Sequence, residues 1–420
     1  MRRLCVWWDG RLVGDLIQDN HGNMRFHYGE EWLADPGAPP LSASLPKATA
    51  RFARRLCEPF FGGLLPEEGQ RTAAAKALGV SANNDFALLE KLGGEVAGAI
   101  QIIQPGVAPE PSIGPWSPIF LSDEELFQVI EDLPRRPFLA GQGKLRLSLA
   151  GAQTKLPVIV AGAHIGLPDA GQPTTHILKP SMPLYQGSTE NEAFCMRLAL
   201  AVGLEVAPVQ ARVLDIGGGK RRTYLLVDRY DRAMGPSGVR RLHQEDFCQA
   251  SGITSAFKYQ ADGGPGFKVC FDLLRRVATV PAKDIGRMLS AVVLNVILGN
   301  ADAHAKNFSL LYEQGSTRLA PLYDLLSTAY YQDLAADSAM KIGDASTLEN
   351  LNQKEWRDFA GKVGIGFPII RSRVGELVES VPAAIPGVVA SLAGAGLDDA
   401  VLDRLAVLVQ ERAERCGKKI

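Results

Sequence analysis

Gly299-Asn300-Ala301-Asp302-Ala303-His304-Ala305-Lys306-Asn307, followed by Asp324, carries more chemical information than any other part of this chain. An aspartate precedes an asparagine by five positions, and a second aspartate comes shortly after. Carboxylates, carbonyls and water are the ligands that a hard cation such as Mg²⁺ prefers. Phosphoryl transfer is mostly positioning and charge neutralisation, so it needs such groups close together. In that chemistry the first aspartate accepts a hydroxyl proton, while the asparagine and the second aspartate hold the metal against phosphates.

The order Asp, Asn, Asp matches a protein-kinase catalytic centre. The rest of the chain should then supply a phosphate cradle, a lysine and an adenine slot. Residues 144–160 offer two strand-like runs around Ala150-Gly151-Ala152-Gln153-Thr154-Lys155, whose small residues let backbone N–H groups approach phosphate oxygens. They predict a hairpin, and they are not a Walker A loop. Downstream, His176-Ile177-Leu178-Lys179 reads as a strand ending in lysine, as a kinase small lobe requires. Residues 190–202 have helical spacing and stop at Gly203, so Glu190 or Glu192 could pair with Lys179. Two strands, 209–214 and 223–228, lead to Asp228-Arg229-Tyr230, where a hinge between lobes falls and backbone groups could meet an adenine edge.

Composition is that of an ordinary globular protein: 46% hydrophobic, 22% charged, net charge −1 over 420 residues, with no overall basic field for nucleic acid. The six cysteines are scattered without a CxxC pair, which speaks against a zinc site or disulfide framework and for a reducing compartment. The opening run Leu4–Trp8 is too short for a secretory leader, and no continuous apolar run reaches the ~18 residues of a membrane span, so a cytoplasmic protein without membrane contact is expected.

Three units are expected. Residues 1–105 form an α+β subdomain: a hairpin turning at Asp9-Gly10, a strand at 26–28, an extended stretch at 41–46, helices at 48–56, 67–77 and 84–92, and a strand at 95–102. Residues 106–230 hold a connector with Pro109, Pro111, Pro115 and Pro118, a helix at 123–132 capped by Ser122, and the small lobe with the phosphate loop. Residues 231–420 form a mainly helical large lobe, with helices at 285–297, 356–363 and 397–413. The N-terminal unit shows no catalytic cluster.

Six ordered motifs add a resemblance: 148–155, 176–179, Arg241-Leu242-His243-Gln244-Glu245-Asp246-Phe247-Cys248-Gln249, Tyr259-Gln260-Ala261-Asp262-Gly263-Gly264-Pro265-Gly266, 302–308 and Leu322-Tyr323-Asp324-Leu325-Leu326. With 8–12, 39–46 and 62–66 nearer the N-terminus, the chain resembles the HipA family of serine/threonine kinases, the toxin halves of HipBA toxin–antitoxin pairs. The resemblance implies a two-lobed, kinase-like α+β fold using ATP and Mg²⁺. It makes Asp302 the catalytic base, Asn307 and Asp324 the metal ligands, and Ala150 to Lys155 the phosphate-covering loop. Lys179 contacts phosphates, Asp228, Arg229 and Tyr230 form the adenine hinge, and His304, Ala305, Lys306 and Tyr323 line the nucleotide site. Ser148 corresponds to the family's autophosphorylation site. The implied partners are a HipB-like helix-turn-helix antitoxin, operator DNA reached through it, and a protein substrate such as an aminoacyl-tRNA synthetase, whose modification stops growth and favours persistence. Thr154 stands where the family often has an acid, and Asp228 where it often has Glu. A non-toxic kinase of this fold and a silent nucleotide-binding corepressor are the alternatives.

Overall fold

Asp9 and Gly10 both have left-handed backbone, with φ of 47° and 73°. That is the geometry of a type I′ turn, whose twist matches that of the strands it joins. The computed structural model describes residues 1–109, 114, 116–141, 145–235 and 238–420, and it opens with the hairpin this turn demands, Arg2–Trp8 against Arg11–Gln18. Pro111, Pro115 and Lys144, which figured in the connector and the first strand-like run, lie outside the described residues.

The N-terminal sheet is antiparallel throughout, in the order Arg51–Phe52, Met24–Tyr28, Arg11–Gln18, Arg2–Trp8, Ile100–Ile103. Leu4, Val6, Leu16 and Phe26, with Val13 at a bulge in the second strand, pack into one core with Phe60 and Phe61 of helix Arg54–Gly62 and Phe86 and Leu89 of helix Asp85–Leu92. Three expectations change here. The helix expected at 48–56 begins at Arg54, because Arg51–Phe52 is taken up as an edge strand. Residues 41–46 are not extended: Ser42 and Leu45 bridge across a tight turn, with Leu45 N–H donating to Ser42 O at 3.0 Å. The strand expected from Glu95 starts at Ile100, because Glu95 is diverted to a bridge with Leu147.

That bridge also removes the hairpin expected at 144–160. Only Leu156–Ala161 joins the small-lobe sheet. Residues 145–151 run along the N-terminal unit, with parallel bridges Glu95–Leu147 and Pro66–Gly151. The small-lobe sheet has the order Val209–Asp215, Arg221–Asp228, His176–Pro180, Leu156–Ala161, His164–Leu167, Ile119–Phe120. Helix Asp123–Asp132 packs with it, and its N-terminus is closed by a capping box between Ser122 and Glu125.

Helices Phe267–Val277, Pro281–Leu298, Gln353–Val363, Phe367–Ala393 and Asp399–Lys418 build the large-lobe core. The lobe is less helical than its pattern predicts: His243–Asp246, Ser309–Glu313 and Ser316–Leu319 form a three-stranded sheet, and Asp337–Ile342 pairs with Ala345–Thr347. Helix Phe367–Ala393 has no counterpart in the sequence reading, since Pro382 and Pro386 lie within it. It is long and apolar enough, by length and composition, to cross a membrane. Its buried residues Ile370, Val374, Leu377, Val381, Ile385, Val388 and Leu392 recur every three or four positions and sit in the lobe's core, the pattern of a packed amphipathic helix.

Buried polar contacts tie the N-terminal unit to both lobes. Glu95 accepts from Arg229, Arg232 and Arg241, from the Thr174 hydroxyl and from its backbone N–H. Further along, Ser42 Oγ and Ala43 N–H donate to Glu245, and Gln249 Nε2 donates to Phe60 O at 2.8 Å.

Candidate active site

Helix Pro281–Leu298 delivers the chain into the acidic segment and ends at Gly299, whose φ is 73°. A Cβ at Gly299 would lie 2.7 Å from both Ala329 Cβ and Arg412 Nε, so only glycine lets the chain turn there. The turn is held from within. Asn300 Nδ2 donates to Asn295 Oδ1 at 2.8 Å, Asp302 N–H to Asn300 Oδ1 at 3.2 Å, and His304 N–H to Asp302 O at 2.8 Å. A single 3₁₀ turn, Ala305–Asn307, then presents the Asn307 amide. Ala305 is buried in the large-lobe core, and Lys306 Nζ pairs with Asp246 at 2.6 Å. Neither side chain is therefore free to line a nucleotide site as expected; both anchor segment 302–307.

Lys179 resolves the choice between the two glutamates. Its Nζ lies 2.7 Å from Glu192 Oε1, on helix Ser188–Ala201, and 2.7 Å from Asp324 Oδ1. Asp324 Oδ2 accepts from Asn307 Nδ2 at 3.0 Å. Asp324 has φ of 58°, a left-handed conformation that non-glycine residues seldom adopt and that concentrates at functional sites. Burial opposes its charge, but Lys179 and Lys155 outweigh burial and hold the carboxyl well below the ordinary range. Burial likewise opposes the charge on Lys179, and Asp324 and Glu192 together keep its ammonium above the ordinary value. Among the described residues Lys155 has no such pair: enclosure by protein, then the neighbouring Lys179 charge, push it down to about 8.

Residues 150–155, the loop expected to cover phosphate, are seated by the N-terminal unit. Lys155 Nζ donates to Ala150 O at 2.6 Å and sits where a Cβ on Gly151 would fall. Gly151 has φ of 105°, and its carbonyl accepts from Glu67 N–H at 3.2 Å. Gln70 Nε2 donates to Thr154 Oγ1 at 2.9 Å, while Ala152 is exposed and Gln153 half-buried. Just upstream, Ser148 is fully buried, with Oγ donating to Leu64 O at 2.8 Å and N–H to Glu95 O at 3.0 Å.

Asp302 lies at the surface, beside Lys258 and Tyr259. Crowding by protein lifts its carboxyl to about 6, with Lys258 acting in the opposite direction. The residue is solvent-exposed, which moderates the lift without changing its direction. His304 is buried edge-on to Tyr259, with ring centroids 5.5 Å apart, and burial pushes it down to about 4, so its ring is neutral at pH 7.

The hinge differs from expectation. The Arg229 side chain is buried among Glu95, Asp231 and Thr174, and its N–H donates to Thr175 O at 3.0 Å, because a guanidinium out of water needs carboxylate partners. Arg229 therefore joins the units rather than facing a nucleotide. Tyr230 stacks on Tyr323 at 5.6 Å, and Tyr323 OH donates to Lys306 O at 2.7 Å, so both rings brace the floor. Asp228 stays partly exposed, 3.1 Å from His176 Nε2.

Asn307 and Asp324 fit a Mg²⁺ that brings its own phosphate oxygens and water. The amide turns Nδ2 toward Asp324; rotated, at the cost of the His304 N–H bond, it would set Oδ1 beside the carboxylate. Among the described residues no group of three or more His, Cys, Asp or Glu side chains could hold a metal alone. Glu67 and Lys258 were not anticipated here, and Tyr259 stood in a motif without a role; nothing local in the sequence joins residue 67 to residues 258 and 306.

Residues 4–103 match the HipA N-terminal domain and residues 147–385 the HipA-like C-terminal domain. The chain belongs to the HipA family. The serine/threonine-protein kinase toxin HipA of Shewanella oneidensis is 31% identical over 405 residues, covering 93% of this chain and 90% of that one. The Sinorhizobium fredii protein Y4mE, which has a provisional kinase name, is 49% identical over 418 residues, 99% of this chain and 98% of that one. The solved Shewanella oneidensis HipA, in a complex with HipB and operator DNA, superposes with a TM-score of 0.84 at 28% identity, covering 98% of this chain and 97% of that one. The two-lobed, kinase-like α+β architecture is thus that of HipA, and the family is one of kinase toxins.

Proposed function

We propose that this HipA-family chain transfers the γ-phosphate of ATP to a serine or threonine hydroxyl of a protein and acts as the toxin of a toxin–antitoxin pair. The observation that carries the proposal is Lys179 bridging Glu192 and Asp324 at 2.7 Å each, with Asn307 on the other Asp324 oxygen. A strand lysine joined to a helix glutamate, beside a metal-type aspartate, is the arrangement an active kinase lobe requires.

Bound Mg²⁺ and ATP would supply charge neutralisation and the transferable phosphoryl group. Asn307 and Asp324 are the residues that would hold the metal, and Lys179 would neutralise phosphate charge. Asp302, its carboxyl ionised above about 6, would take the acceptor's proton. Neutral His304 and Tyr259 wall the cleft on that side.

Ser148 is the proposed autophosphorylation site. It is fully buried, so the loop must leave its seat to be modified. A phosphate there adds roughly −1.5 to −2 charges to a pocket lined by the Leu64 and Glu95 carbonyls, which opposes reseating. The proposed partners are a HipB-like antitoxin, operator DNA held through it, and a translation protein such as an aminoacyl-tRNA synthetase as acceptor. The proposed outcome is arrested growth and persistence, in the cytoplasm.

Phosphosite mass spectrometry after incubation with Mg-ATP, with Asp302→Ala alongside, tests this. Phosphate on Ser148 in the wild type and none in the variant is expected. ATP binding with no phosphate on the chain or on any lysate protein would replace the kinase with a silent nucleotide-binding corepressor.

A further inference from the structure

Glu67 belongs to the N-terminal unit, yet it touches three parts of the cleft. Its backbone N–H holds the phosphate loop at Gly151 O, 3.2 Å away. Its carboxylate is buried, with Oε2 3.0 Å from Lys258 Nζ and Oε1 3.6 Å from Lys306 Nζ. Lys258 precedes Tyr259, which packs on His304; Lys306 precedes Asn307. The next residue, Glu68, also reaches Lys258, at 3.3 Å, and does so from a left-handed backbone with φ of 49°. A glutamate needs a reason to sit there, and strain of this kind persists only where the surroundings enforce it.

We infer that Glu67 is a positioning residue of the active centre: one side chain and one N–H make the seat of the phosphate loop and the geometry of segment 302–307 a single mechanical unit. The inference rests on the kinase reading for its catalytic consequence, but not for its structural one. It also gives the N-terminal unit a part in catalysis beyond its junction with the two lobes. When the loop leaves Gly151's seat, the Glu67 backbone loses its partner, and Lys258 and Lys306 lose one of the two carboxylates on each, keeping Glu68 and Asp246 respectively. Burial makes the contact demanding: an ion pair out of water stabilises only when every partner is in place.

The test uses the full chain with Glu67→Gln, which keeps the shape and removes the charge. Hydrogen exchange by mass spectrometry, without nucleotide, should show faster exchange in both 145–155 and 302–307, with strand Ser309–Glu313 unchanged. Unchanged exchange at 302–307 would overturn the inference whether or not the protein is a kinase. In radiolabelled phosphate transfer from Mg-ATP, kcat should fall about 10- to 100-fold while KM for ATP stays within about twofold, the signature of misplacement near the chemistry. Equal loss in both, or no loss, would overturn it. Lys258→Met approaches the same contact from the large lobe and serves if Glu67→Gln fails to fold. The double variant should lose no more than the worse single one, and additive losses would show that the two residues act separately. A wild type that transfers no phosphate would sink the kinase reading and leave the exchange result to decide the positioning role.

Discussion

Two of the buried charge networks in this molecule, those around Glu95 and Asp324, invite comparison, and only one of the pair has the features of a site. Around Glu95, three guanidiniums meet two carboxylates: Arg229, Arg232 and Arg241 on Glu95, with Arg229 and Arg232 also on Asp231. Glu95 accepts six hydrogen bonds, its backbone is unstrained, and its side chain is 3% exposed. Around Asp324 the groups are fewer and less settled. Its side chain is 35% exposed, its backbone is left-handed, and its near neighbours are a lysine and an amide that can turn. Buried charge alone therefore does not mark a site. What distinguishes the second network is unfinished coordination facing solvent, held in a strained backbone. In the first network every carboxylate oxygen is engaged, although Arg232 Nε has no partner among the described residues, and its work is to join the N-terminal unit to both lobes.

The largest effect should come from the open network and should leave the fold alone. Asp302→Asn keeps the shape and removes the proposed base, so phosphate transfer should fall about 10²- to 10⁴-fold. Thermal stability should not fall with it, because the lifted carboxyl of Asp302 contributes no stability through its charge. In the wild type the rate should rise with pH through about 6, as Asp302 loses its proton, and an acid limb well below 5 would remove Asp302 from that role. A variant that melts early would show that the two networks are not as separate as their geometry indicates.

The closed network should respond the other way round. Glu95→Gln leaves three buried guanidiniums with Asp231 alone, a loss of about 3–5 kcal/mol of stability by analogy with other broken buried pairs. Burial works against the Glu95 charge, and Arg232, Arg241 and Arg229 together outweigh it, so the carboxyl lies well below its ordinary range and stays ionised through any neutral assay. Urea unfolding should show a lower midpoint, with the first loss of structure at the junction of the N-terminal unit. Phosphate transfer measured well below that midpoint should change by no more than a few-fold. A midpoint unchanged from wild type would mean that Asp231 and solvent can replace Glu95.

How much of this was visible in the sequence follows the same division. Local signals were legible: the Asp9-Gly10 turn, the Ser122 cap, the strand ending at Lys179, and the helix that runs into Gly299. The four chemical groups Lys179, Asp302, Asn307 and Asp324 could be named because each stands in a short motif. Partners across the fold could not. Glu192 rather than Glu190 depends on which helix face meets strand His176–Pro180. Arg229 looked like a hinge residue because its burial is decided by Glu95, 134 positions away. Residues 145–149 looked like half of a hairpin because alternation cannot say which edge a strand will join, and the free edge lay in the N-terminal unit. Helix Phe367–Ala393 was hidden by two prolines that local propensity excludes and tertiary packing tolerates.

Between the two networks lies an intermediate case, and it sharpens the comparison most finely. Glu245 is fully buried and accepts from Ser42 Oγ at 2.5 Å, Ala43 N–H at 2.9 Å and Tyr312 OH at 2.5 Å, but among the described residues no lysine or arginine pairs with it. Burial pushes its carboxyl up to about 7. In the unfolded chain it loses its proton near 4.5, whereas in the folded protein it keeps it to about 7. Between those values the folded state binds the extra proton, so stability should decline as pH rises, by about 3 kcal/mol at most, and then level off. Glu245→Gln is neutral at every pH. It should match the wild type near pH 4.5, where both side chains are uncharged, and become progressively more stable than the wild type towards pH 8. Urea midpoints at pH 5, 6.5 and 8 would measure this. If Gln costs as much stability at pH 8 as at pH 5, Glu245 is ionised in the fold, three neutral donors suffice for a buried carboxylate, and the arginines around Glu95 are more than that junction needs.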